Sequence, residues 1–139
     1  MTSNSPPLAP QMPVIRRQLA APHALVRDLL PAALKTEGFG VLTEIDIEKT
    51  LQDKLGAEFR PYTILGACNP VLAQRALAAD LEVGVLLPCN IVVQAADGGG
   101  TLVSAVDPQK ALGAFGNSEL QALAGEVRER LVKVLDKLG

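Results

Sequence analysis

Three consecutive glycines behind an aspartate, Asp97-Gly98-Gly99-Gly100, join two runs of strand-forming residues, Cys89 to Ala96 and Thr101 to Val106. A connection this short reverses the chain directly, so the two runs are expected as antiparallel neighbours in a hairpin. A glycine-rich phosphate loop would lead into a helix, whereas here both flanks favour strand. The hairpin therefore argues against a parallel βαβ sheet and commits the chain to antiparallel pairing.

The other elements are read around that hairpin. Val14 to Leu19 suits a short first strand. Pro22 to Glu37 carries Leu25, Leu29, Leu30, Ala33 and Leu34 near helical spacing, with Pro22 suited to the first helical position and Gly38 to the stop. Pro31 inside this helix deletes the hydrogen bond to residue 27 and predicts a kink. Phe39 to Ile47 alternates as a strand, with Val41, Thr43, Ile45 and Ile47 on one face and Leu42, Glu44 and Asp46 on the other. Ile47, Leu51 and Leu55, four apart, predict a short helix ended by Gly56. Tyr62 to Cys68 reads as a strand after Pro61. Asn69-Pro70 is a cap followed by a first-turn proline, so a helix is expected from there to about Asp80. Val83 to Ala96 divides at Pro88 into a short extended piece and the strand from Cys89. A capping box, Ser118-x-x-Gln121, opens the last helix. Leu120, Leu123, Ala124, Val127, Leu131, Val134, Leu135 and Leu138 form its apolar face, with Glu126–Arg130 and Glu129–Lys133 spaced four apart outside.

Residues 1–13 hold four prolines and several small polar residues and read as a flexible tail, which leaves 14–139 as a single α+β domain. With 139 residues, few aromatics and no Trp, the core must come from Leu, Val, Ile and Ala. A mean hydropathy of +0.24 is high for a small domain: either the core is unusually complete or apolar surface is covered by a partner, and with Leu and Val spread evenly along the chain a homodimer is expected. The net charge of −2 argues against nucleic acid, which needs a basic face. No apolar run approaches the roughly 20 residues of a membrane helix, and the N-terminus lacks a signal-peptide pattern. The expected setting is the cytoplasm, where two cysteines are thiols rather than a disulfide.

The residues with chemical potential are few. His23 is the single imidazole and there is no Cys-x-x-Cys, so the usual zinc spacings are missing. There is also no Gly-x-Ser-x-Gly. Cys68 and Cys89 are each followed by an asparagine, Asn69 and Asn90, in turn-forming contexts at strand ends. A thiol at a helix N-terminus has its thiolate favoured by the dipole, a condition Cys68 meets if the helix starts at Pro70. The bland alternative is two small buried residues with Asn as turn caps. Glu44 and Asp46 share a strand face and offer paired carboxylates, more often a wet face than an acid–base pair.

The stretches from Glu37 to Asp46, Tyr62 with Ile64 to Pro70, Leu86 to Asn90 and Val106-Asp107-Pro108 together resemble the domain-of-unknown-function 302 family, found mainly in bacteria and archaea. The resemblance runs over about residues 14 to 138. It implies a β-α-β4-α arrangement of the TATA-binding-protein-like type: a curved antiparallel sheet of about five strands with helices packed on one face. The motif positions are Thr43, Glu44, Asp46, Cys68, Asn69, Pro88, Cys89 and Asn90; Leu81 stands where such sequences often carry proline. The resemblance implies a fold and no reaction. The residues rank a dimeric small-molecule or metal binding module first, its site at Cys68, Asn69, Cys89 and Asn90 with Glu44 in reach, and a soft metal on Cys68 and Cys89 as one ligand. A thiol-dependent enzyme using Cys68 or Cys89 is the alternative, and a structural or interaction domain the third reading.

Overall fold

A computed structural model describes residues 13–139; the expected tail lies outside the described residues apart from Pro13. The elements are β1 (Val14–Leu19), α1 (His23–Lys35), β2 (Gly40–Asp46), α2 (Ile47–Leu55), β3 (Tyr62–Cys68), α3 (Pro70–Ala79), a 3₁₀ segment (Leu81–Leu86), β4 (Cys89–Ala95), β5 (Thr101–Val106), α4 (Pro108–Ala111), a 3₁₀ turn (Gly113–Phe115) and α5 (Ser118–Asp136). The strands form one antiparallel sheet in the order β1-β5-β4-β3-β2, not closed into a barrel. The β4–β5 hairpin forms around the glycine triplet as expected, and all three glycines take positive φ.

Alternation decides what the sheet buries. Ile15 and Leu19 of β1, Leu65 and Ala67 of β3, Ile91 and Val93 of β4, and Val103 and Ala105 of β5 point to one face. They meet Val26, Leu30 and Leu34 of α1 and Leu131, Val134 and Leu135 of α5 in the main core. A second, smaller core joins Leu72 and Ala76 of α3, Val83 of the 3₁₀ segment, and Leu120 and Leu123 of α5. Helix α5 thus serves both: its C-terminal half lies on the sheet and its N-terminal half on α3.

Several local expectations change. Pro22 is the N-cap of α1 with extended ψ, not its first helical residue, and Pro31 lies inside the helix. Val83–Leu86 is not extended but part of a 3₁₀ segment that starts at Leu81, where Asp80 accepts a hydrogen bond from the Glu82 N–H at 2.9 Å. Asn117, not Ser118, caps α5; its Oδ1 accepts from Glu119 N–H at 2.9 Å and Leu120 N–H at 3.2 Å. An Asn one residue earlier reaches the free amides of the first turn better than the Ser already inside it.

The alternation expected for β2 also fails. Val41 pairs with Ala67 and Thr43 with Gly66, so Leu42 is an extra residue opposite nothing of its own. The bulge flips the register, and Val41 lies on the same side as Glu44 and Asp46 instead of with Thr43 and Ile45.

Candidate functional site

β3 ends at Cys68 because the next two residues start a helix. Asn69 Oδ1 accepts the Leu72 N–H at 3.2 Å, and Pro70 fills the first helical position of α3. The Asn69 Nδ2 donates to the Glu37 carbonyl at 3.3 Å, which also accepts from Arg130 Nη1 at 3.2 Å. Asn69 is only 8% exposed, so this side chain ties the start of α3 to the turn after α1 and to α5. Replacing Asn69 by Ala is expected to lose about 1–2 kcal/mol, the cap together with an unpaired buried amide. Urea denaturation measures it; an unchanged midpoint would show that the junction does not depend on this side chain.

β4 starts at Cys89, opposite Ala67, with Asn90 opposite Gly66. Gly66 has no side chain for a reason: a Cβ there would run into Thr43 Oγ1 and lie 2.7 Å from Pro88 Cγ. Thr43, Gly66 and Pro88 therefore interlock across three consecutive segments and fix where β4 begins relative to β3. This interlock was not legible from the residues taken singly, since Gly66 reads simply as a weak strand residue.

Cys68 and Cys89 line one cavity of ≈ 50 Å³. It lies at the seam between the two cores: Phe39 and Ala67 come from the main one, and Leu72, Val83 and Leu123 from the other. Among the described residues, Asn69 is the one lining residue whose side chain carries nitrogen or oxygen, and no charged one lines the cavity. Both cysteines are free thiols of intermediate exposure. Burial pushes the Cys89 thiol up to about 11, and the neighbouring Cys68 adds to the rise.

The other proposed participants lie elsewhere. Asn90 is exposed and, by alternation with Cys89 and the fully buried Ile91, is directed to the opposite face of the sheet. Glu44 is exposed on β2 opposite Leu65 and does not line the cavity. Asp46 caps α2 by accepting the Lys49 N–H at 2.9 Å, and the Lys49 ammonium pairs with Asp53. His23 Nε2 is 3.1 Å from Thr63 Oγ1 and does not line the cavity. Among the described residues no group of three or more His, Cys, Asp or Glu is placed to hold a metal ion. Nor is any helix among them long and apolar enough to cross a membrane.

Comparison with known proteins adds a family and a neighbour. The model of the family described as "Domain of unknown function DUF302" matches residues 15–138. The crystal structure of an uncharacterized conserved DUF302 protein from Bacillus stearothermophilus is 32% identical, with a TM-score of 0.86 over 92% of this chain and 99% of that one. No match is found among the curated proteins.

Proposed function

The chain belongs to the DUF302 family, whose description states no reaction, and we propose from its cavity that it is a binding module for a small, neutral, largely apolar molecule. The observation that carries this is the meeting of Cys68, Asn69 and Cys89 at one cavity whose walls are otherwise apolar. Apolar pockets with few polar groups hold organic ligands through burial and orient them through those groups. Here the polar points are Cys68, Cys89 and Asn69. An organic ligand is favoured over a soft metal, because metal binding wants thiolates and further donors. Cys89 holds its proton well past neutrality, and among the described residues no His, Asp or Glu joins the pair as a third ligand. A thiol-dependent enzyme would need a base at the sulfur, and neither His23 nor Glu44 lines the cavity. Two free thiols suit a reducing, cytoplasmic setting.

The homodimer belongs to the same proposal. Its support is exposed apolar surface: Val71, Leu81 and Val85, on α3 and the 3₁₀ segment, are between 68% and 83% exposed. Neither nucleic acid nor a membrane enters the reading.

The test is a heteronuclear NMR titration with neutral apolar probes small enough for a cavity of ≈ 50 Å³, xenon and ethane. Saturable shifts confined to the amides of Ala67, Ala76 and Ala124 are expected, and Ala73→Leu, which fills part of the cavity wall, should weaken them at least tenfold. Absence of saturable shifts at millimolar probe would remove the binding function. Sedimentation of the same samples at high micromolar concentration should give a dimer, and a monomer would remove that part of the proposal.

A further inference from the structure

We propose that Cys68 and Cys89 form an exchangeable dithiol, which a small-molecule disulfide converts to an intramolecular Cys68–Cys89 disulfide. The backbone register carries the argument. Cys89 pairs with Ala67, so Cys68 is one residue along from the direct partner of Cys89. Antiparallel partners lie about 4.5–5.5 Å apart and one residue adds about 3.4 Å along the strand, which puts the two Cα atoms about 6 Å apart. That falls inside the range of roughly 4.4–6.8 Å that a disulfide spans.

Spacing alone is not enough, because successive strand residues point to opposite faces. The strand ends make the difference. β3 stops at Cys68, where Asn69 turns the chain into α3, and β4 starts at Cys89 directly after Pro88. At these ends both residues line the same cavity. The influence of Cys68 on the Cys89 thiol is a second sign that the two are close. The chain has two cysteines in all, so no other thiol of the chain competes for either one.

The exchange balances with the small disulfide as oxidant. The Cys68 thiolate attacks one sulfur of the small disulfide, forming a mixed disulfide and releasing one small thiolate. Cys89 then gives up its proton to solvent and its sulfur attacks Cys68 Sγ, expelling the second small thiolate. Two protein thiols are oxidised by two electrons, and one small disulfide is reduced to two thiols. Because Cys89 holds its proton to about 11, the second step should accelerate as pH rises. The product removes both thiols from the cavity, so oxidation state would set what the cavity offers to a ligand.

The experiment uses the reduced full chain and oxidised glutathione, read by intact mass under non-reducing conditions. Expected is a single chain lacking two hydrogens as the main species, with alkylation in urea lost at both positions and restored by dithiothreitol. Cys89→Ser should instead stop at a glutathione adduct on Cys68 that persists. Persistent glutathione adducts on the wild type, chains linked to one another, or two unreacted thiols would each overturn the proposal. The mass readout needs no ligand in the cavity, so it stands or falls separately from the binding function.

Discussion

Between pH 9 and pH 11 the protein should lose about 2–3 kcal/mol of stability that the Cys89→Ala variant does not lose. The unfolded thiol titrates near its ordinary value of 9.0, while burial in the folded chain moves it to about 11. Below pH 9 both states hold the proton, and the group leaves stability independent of pH. Between the two values the unfolded chain has released its proton and the folded chain has not, so unfolding is favoured progressively as pH rises. Above about 11 both are ionised and the loss is complete. Other groups titrate in this range, and the difference between wild type and variant isolates the one thiol. Urea denaturation at half-unit steps from pH 8 to pH 11 measures it. Parallel curves for the two proteins would show that the thiol is not buried against ionisation. The same burial predicts that at pH 8 iodoacetamide leaves Cys89 unmodified in the folded chain and alkylates it once urea unfolds it.

What the sequence disclosed follows from how local its signals are. Asn69-Pro70 announced the start of α3 because a cap and a first-turn proline act within three residues, and the helix begins there. The glycine triplet announced the hairpin for the same reason. Asp107-Pro108 carries the same signature: Asp107 Oδ1 accepts the Gln109 N–H at 3.0 Å and Pro108 opens the short α4, which had no place in the element reading. The bulge at Leu42 could not be read, because a single extra residue leaves composition unchanged while it moves Val41 to the other face. In sequence the 3₁₀ segment looks extended because its apolar residues run up to Pro88 without helical period; its start is set by Asp80, outside that run.

The candidate site divides along the same line. That Cys68 and Cys89 sit at strand ends is a local fact, and it was legible. That they line one cavity depends on the pairing of Ala67 with Cys89 across 22 residues, which no spacing announces. Neighbourhood in sequence and shared motifs group Asn90 and Glu44 with the cysteines. Alternation along β4 carries Asn90 to the other face, and β2 is the edge strand that keeps Glu44 exposed. The apolar walls come from α3, the 3₁₀ segment and α5, whose residues read as ordinary core.

Replacing Gly100 by alanine should destabilise the fold by about 3 kcal/mol, while the same change at Gly98 should cost about 1 kcal/mol. Both glycines sit in the β4–β5 turn at similar positive φ, +76° and +83°, so the conformational part of the cost is shared. They differ in what a side chain would meet. At Gly98 nothing lies within 4 Å of the new Cβ, whereas at Gly100 it would run into the Leu19 carbonyl oxygen and lie 3.5 Å from Ala20 Cα. Those obstacles are backbone, and they are pinned. Leu19 pairs with Thr101 at the end of β1, and the buried Thr101 hydroxyl donates to the Ala21 carbonyl at 2.6 Å. For alanine to fit, the β1–α1 corner must move away from the hairpin, which breaks that hydrogen bond and pulls Leu19 out of the main core. The measurement is the urea midpoint of each variant against the wild type. Equal losses at positions 98 and 100 would mean that φ alone sets the cost and that the corner yields freely. A larger loss at 100, relieved in part by Thr101→Val, would mean that the hydroxyl holds the corner against the turn.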